Sequence, residues 1–355
     1  MPPDRGLAET ATAGVKGKKA RLTYAFTANA DGTEKRPAFI IGKWKKPRAF
    51  LGKTGQQLGF RYRNNATAWM TAKLYQEWLE EWDQECVARD RHILLLQDNF
   101  SGHIPPAILR NITIENFEPN LTSHVQPNDQ GIIRCFKAYY RARFVERAIE
   151  RYDSGITPSN IYDINQLEAM RLAEAAWQEV DTTTIRNCWR KAGILPDVTP
   201  PEVSQPLVPI SSLINDGPSD NPVAQAEKEL TDALDDLRRT GALQSANQMS
   251  IEALLNPAEE AVDADDISDD DILKAVRESK AADEAGEGPD DEPAVELPTR
   301  SEALQAAGVI NRLLTTMDGP VARKLEVTLA AFSRQVRAER QRDMVATQLT
   351  DFFAA

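Results

Sequence analysis

Residues 91–103 read R-H-I-L-L-L-Q-D-N-F-S-G-H, and residues 123–133 read S-H-V-Q-P-N-D-Q-G-I-I. In the first stretch Ile93, Leu94, Leu95 and Leu96 form an unbroken apolar run, the pattern of a short strand buried on both faces. That strand delivers Asp98 to its C-terminal end, where polar groups of an open α/β sheet converge on ligands. In the second stretch Asp129 follows Pro127 by two residues and opens a helical pattern starting Gln130-Gly131-Ile132-Ile133. A carboxylate at a helix start can serve the helix dipole alone. Two carboxylates, on a strand tip and a helix start, can also share a divalent ion for phosphoryl chemistry.

These blocks carry a resemblance. L-L-L-Q-D-N-x-x-x-H, ending at His103, and Q-P-x-D-Q-G-I-I-R-x-F-K-A-Y-Y resemble the catalytic core of the pogo/Tigger/jerky-type DDE transposases. Upstream, L-T-Y-A-F-T-A-N-A-D-G-T-E-K-R-P-A-F-I-I-G-K-W-K-K-P-R is similar to the same family in order and spacing, so the likeness runs from Pro3 to Pro196. It implies a ribonuclease H-like α/β fold, metal-dependent cutting and joining of DNA, and a nuclear location. It also implies Asp98 and Asp129 as catalytic, Mg²⁺-binding residues. His103, in the same block, is either a structural hydrogen-bonder or a helper beside the metal.

One departure qualifies that expectation. In the family the first catalytic aspartate lies in an N-x-D-E-T-G strand, just before the segment matching residues 2–8, and the sequence here opens at Met1. Asp4 and Asp31 match non-catalytic positions. The resemblance therefore implies a mixed sheet lacking its first, central strand, with flanking helices. Arg21–Ala28 and Ile93–Leu96 are expected to flank the vacancy, either re-paired or with a gap between them. The functional expectation is a nucleic-acid-binding remnant that does not cut. The alternatives are an active Mg²⁺-dependent endonuclease, should the start be mis-assigned, and a domesticated, non-enzymatic interaction protein.

The net charge of −12 is unevenly spread. Residues 1–195 hold 28 Lys+Arg against 22 Asp+Glu, residues 196–300 hold 7 against 26, and residues 301–355 hold 7 against 6. The first part suits a phosphate backbone and the second does not. Cys86, Cys135 and Cys188 are widely spaced, which argues against a disulfide framework or structural zinc. No run of about eighteen apolar residues marks a membrane span. No glycine-rich phosphate loop or small-molecule signature stands out.

Four regions follow: a flexible lead-in over 1–17, the DDE-like domain over 18–196, an acidic, largely disordered linker over 197–299 interrupted by short amphipathic pieces around Ala224–Leu243 and Ile272–Ser279, and helices over 300–355. Within the domain, Asn29–Gly32 reads as a turn between two strands, with Asp31 in turn chemistry. Gly42–Arg48 is a basic loop in which Lys43, Lys45, Lys46 and Arg48 surround Trp44, suited to phosphate contact and base stacking. Residues 68–89 read as a helix capped by Thr67, with Glu77, Glu80, Glu81 and Asp83 on a solvated face. The helix running from Asp129 to Tyr152 has a basic side bearing Arg134, Lys137, Arg141, Arg143 and Arg147, of which Arg134, Lys137 and Arg141 are candidate DNA contacts. In the C-terminal helices, Leu325, Leu329, Phe332 and Val336 form a short heptad seam, expected either to close a helical hairpin or to support self-association.

Overall fold

The computed structural model describes residues 21–118, 125–158, 160–195, 222–243, 249–257, 298–317 and 319–344. The expected lead-in and most of the expected linker lie outside these residues. The chain divides into two compact units, Met1–Glu292 and Pro293–Ala355.

The first unit is mixed α/β, with two small sheets and many helices. Strand β1 (Thr23–Ala25) runs antiparallel to β2 (Phe39–Gly42), which runs parallel to β3 (Arg61–Asn64). Strand β4 (Ile93–Gln97) pairs in parallel with β5 (Ile112–Asn116) as a separate sheet. Among the described residues β1 and β4 do not pair with each other. A cleft of about 420 Å³ is lined by Ala25–Ala28 from the β1 side and by Ile93–Asp98 from β4, with Trp78 and Trp82 contributing aromatic surface. Of the two arrangements anticipated for these strands, the open one is found. It also corrects the expectation that β4 is buried on both faces: Leu94 is 60% exposed, because it lines this cleft.

The β1–β2 connection turns at Asn29–Gly32, where Asp31 accepts hydrogen bonds from the Thr33 amide (2.9 Å) and hydroxyl (2.6 Å). Those two bonds hold its carboxyl below the ordinary range, so Asp31 is a turn residue. Lys35 then places its ammonium on the carbonyls of Trp177 (2.7 Å) and Gln178 (3.1 Å), which caps a later helix end.

Helix α1 (Ala72–Ala88) starts later than its sequence pattern suggests. Ala68 sits at φ 57, and Asn65 Oδ1 accepts from the Trp69 amide, so the backbone cannot yet be helical there. Thr71, not Thr67, is the N-cap, accepting from the Leu74 amide. A second correction concerns Asp83, which is 7% exposed rather than solvated. Its carboxylate accepts the backbone amides of Arg110 (3.0 Å), Asn111 (2.8 Å) and Ile112 (3.1 Å), tying α1 to the start of β5.

A π-type turn (Asn128–Ile132) leads into α2 (Ile133–Asp153), followed by α3 (Gln166–Glu179) and α4 (Thr182–Lys191). Asn165 and Glu168 form a capping box at α3, and Asp181 caps α4 by accepting from the Thr184 amide (2.6 Å). The largest buried cluster gathers Ile132, Cys135, Ala142, Val145, Trp177 and Ile185 from these elements.

That cluster also contains residues assigned to the linker on charge. Helix α5 (Pro222–Arg239) and the short α6 (Ile251–Leu255) place Leu230, Leu234, Leu237, Leu254 and Leu255 in the same core. The positions 230, 234 and 237 step by four and three, so an apolar stripe runs along an acidic helix. The amphipathic piece around Ala224–Leu243 is this helix; its place in the core is what net charge concealed. Burial of the leucines outweighs that charge, and the acidic face finds partners on α2.

The second unit is a hairpin of α7 (Arg300–Leu314) and α8 (Pro320–Met344). Thr299 and Glu302 cap α7 as a capping box. The heptad seam is divided: Val336 is buried while Leu325 and Phe332 are exposed. No helix among the described residues is long and apolar enough to cross a membrane.

Candidate metal and nucleic-acid site

The end of β4 is held by a buried amide. Gln97, 8% exposed, accepts from the Tyr75 hydroxyl and donates to Asn116 Oδ1 (2.7 Å) and to the His103 carbonyl (3.3 Å). Because these partners come from α1, β5 and the following loop, the next residue, Asp98, emerges at a fixed place. Its Oδ1 lies 2.6 Å from His103 Nδ1, and the Phe100 amide donates to the same oxygen (3.3 Å). The His103 ring packs on Tyr75 (centroids 4.6 Å apart) and meets Phe100 edge-on (5.3 Å). Nδ1 has no partner other than Asp98, which favours the tautomer with its proton facing the carboxylate. Asn99 reaches the Phe117 carbonyl, pinning the loop to the exit of β5.

Asp129 sits in the turn that leads into α2. That turn depends on Gly131 at φ 149, where an added Cβ would lie 3.1 Å from both Cys188 Sγ and Val223 Cγ2. The two carboxylates sense each other. Burial pushes the Asp129 carboxyl up, and the charge of Asp98 pushes it further. Burial works in the same direction on Asp98, but His103, the Phe100 amide and Gln126 together bring its carboxyl below the ordinary range. Opposite shifts on neighbouring acids leave Asp98 ionised while Asp129 more readily keeps its proton.

This donor set suits a hard divalent cation. Two carboxylate oxygens at a strand end and a helix entry are what Mg²⁺ takes from protein, with water and substrate phosphates completing its shell. Such an ion would relieve the repulsion that raises Asp129. Among the described residues no group of three or more His, Cys, Asp or Glu side chains is placed to hold a metal.

The basic candidates separate into two groups. Lys43, Lys45, Lys46 and Arg48 are all exposed. Their loop is anchored from below by the Tyr62 hydroxyl, which donates to the Trp44 carbonyl (2.6 Å), and by Phe50 packed edge-on against Tyr62. The Lys43 ammonium lies 5.1 Å over the Trp44 ring. On α2, by contrast, the structure turns the cations inward. Arg134 pairs with Glu227 and with Glu252 (2.8 Å), Arg143 with Glu179, and Arg147 with Glu168 (2.7 Å). Arg141 is buried and donates to the Leu254 carbonyl (3.1 Å). Lys137 lies on the same helix. Sequence reasoning missed Gln97 and Tyr75; a lone amide ending an apolar run was the available signal.

A pair of coupled acids at the strand end and helix entry of an α/β core defines a candidate metal-dependent phosphoryl-transfer site. Comparison with known proteins makes this particular. Residues 19–189 match the family model described as DDE superfamily endonuclease. Tigger transposable element-derived protein 4 of Mus musculus is 31% identical over 175 residues, 49% of this chain and 33% of that protein. CENP-B homolog protein 2 of Schizosaccharomyces pombe is 30% identical over 243 residues, 63% of this chain and 46% of the relative. ARS-binding protein 1 of the same organism is 28% identical over 304 residues, 82% of this chain and 53% of the relative, so that likeness extends past residue 189. The chain carries a transposase-derived DDE superfamily endonuclease domain of the Tigger and centromere-protein-B type. It spans about half, or less, of the length of these relatives. No solved structure matches it.

Proposed function

We propose that this chain is a DNA-binding, transposase-derived protein of the nucleus, with a ribonuclease H-like core, in which Asp98 and Asp129 hold Mg²⁺. The observation that carries the DNA reading is the exposed Lys43–Arg48 loop. Four cations and a half-buried tryptophan stand on a rigid platform, and none of the three lysines forms an ion pair with a described residue. Phosphate contacts by such a loop are independent of base sequence and release counterions. Parallel pairing of β2 with β3 and of β4 with β5 in a mixed α/β unit supports the ribonuclease H-like reading. The names of the relatives, which include a centromere autoantigen and an ARS-binding protein, support a chromosomal setting.

A bound Mg²⁺ would polarise a phosphoryl oxygen and stabilise developing charge. The chain's own part is to hold that ion with Asp98, oriented by His103, and with Asp129, placed by the turn at Gly131. Fluorescence anisotropy with a mixed-sequence duplex tests the binding. Affinity is expected to fall more than about tenfold between about 50 and about 200 mM salt, and charge reversal at Lys43, Lys45 and Lys46 together to weaken it strongly. Salt-insensitive binding would remove the basic-loop reading. Nicking of supercoiled plasmid tests the metal reading: any Mg²⁺-dependent nicking is expected to be abolished by Asp98→Asn, and nicking that survives that substitution would remove Asp98 from the site.

A second feature supports self-association. The α7–α8 hairpin exposes Val309, Leu313, Val321, Leu325, Val327 and Phe332, apolar side chains spread along both helices. Pairing of two hairpins into a four-helix bundle would cover it. Light scattering of the full chain is expected to report a dimer that Leu325→Glu with Phe332→Glu converts to monomer. A monomeric parent chain would exclude the bundle.

A further inference from the structure

We infer that Lys191 is the cation that holds a nucleic-acid phosphate at the carboxylate pair, an inference resting on the DNA-binding reading above. A phosphodiester approaching Asp98 and Asp129 meets two acids, so a fixed positive charge must stand beside them in addition to any metal. Of the cations expected to supply it, Arg134 lines the same cavity but is paired with Glu227 and Glu252, and Arg141 is buried on the Leu254 carbonyl. Helix α4 supplies the alternative. Thr184, Asn187, Cys188 and Lys191 step by three, one and three, so they share one helical face. That face, together with Asp129 and Gln130, lines an open cavity of about 630 Å³. The Lys191 ammonium donates to the Gln130 carbonyl (3.3 Å), which ties it to the residue following Asp129. Lys191 is exposed and forms no ion pair among the described residues, and Asn187 stands one turn before it as a neutral donor. On the same helix, two residues earlier, Trp189 lines the other cleft together with Asp98, so the end of α4 borders the surroundings of both carboxylates.

A lysine in the last turn of a helix also complements the helix dipole, and that role alone predicts no effect on DNA. The two are separated by binding of the full chain to a mixed-sequence duplex. Lys191→Ala is expected to lower affinity about fivefold at low salt and to reduce the salt slope by about one, the signature of one lost phosphate contact. Lys191→Arg retains most of the affinity, and the urea midpoint of Lys191→Ala stays near that of the parent. The loss caused by Lys191→Ala is expected to differ at least threefold between the parent and the Asp129→Asn background, because the phosphate held by Lys191 lies against Asp129. Unchanged affinity and slope in Lys191→Ala, with binding still sensitive to charge reversal at Lys43, Lys45 and Lys46, overturns this inference and leaves the DNA-binding reading intact. Absence of duplex binding by the parent chain at low salt overturns both.

Discussion

A chain ended after Leu195 is expected to lose cooperative folding. Leu230, Leu234 and Leu237 are each 0% exposed and pack in one cluster with Ile132, Cys135, Ala142 and Val145 of the domain. Burying a leucine side chain contributes about 1.5–3 kcal/mol. Three of them together approach the net stability of a whole domain, about 5–15 kcal/mol. Removing α5 and α6 also strips Arg134 of both glutamates and leaves the guanidinium of Arg141, buried against the Leu254 carbonyl, without that acceptor. Exposure of the apolar face of α2 should bind the dye ANS, and urea titration followed by circular dichroism should lack a sigmoid. A gentler version keeps the chain whole: Leu234→Ala is expected to cost about 2–5 kcal/mol, seen as a lower urea midpoint with an unchanged m-value. A shortened chain that unfolds cooperatively at the parent's midpoint would show that α5 rests on the domain without supporting it.

That helix illustrates what the sequence conveyed and what it concealed. The blocks around Asp98 and Asp129 were legible because each couples a local signal to a family pattern: an apolar run ending in an acid, and a Pro-x-Asp helix entry. Secondary structure followed where turn chemistry was local, as at Asn29–Gly32. Tertiary partners were not legible. The cations of α2 read as a DNA-facing stripe because ion pairs such as Arg134–Glu227 join residues 93 positions apart. The leucines at 230, 234 and 237 marked an amphipathic piece within an acidic linker, but nothing local showed that this piece packs into the core of the domain. Lys191 escaped notice because only the packing of α4 against the turn at Gly131 brings it beside Asp129.

Asp83 shows the same limit and sets the second large effect. Charge placed it with Glu77, Glu80 and Glu81 on a wet face, yet Leu79, Asp83 and Cys86 step by four and three along the buried one. There its carboxylate takes the backbone amides of Arg110, Asn111 and Ile112. Hydrogen bonds to an ionised acceptor contribute about 1.5–3 kcal/mol each and their loss leaves donors unpaired. Asp83→Ala is therefore expected to destabilise the first unit by about 3–5 kcal/mol, among the larger effects a single substitution produces. Burial opposes ionisation of this group, but the three amides and nearby Arg110 more than offset it, so its carboxyl lies below the ordinary range. A depressed carboxyl binds fewer protons in the native state than in the unfolded one. Its stabilisation is thus complete above the unfolded value, about 3.9, and is lost as pH falls through the lower native value. Urea midpoints measured at neutral pH and near pH 3 should differ accordingly: the advantage of the parent over Asp83→Asn is wide at the first and narrows at the second. An advantage that stays constant across that range would mean that the carboxylate's charge plays no part in holding α1 to β5.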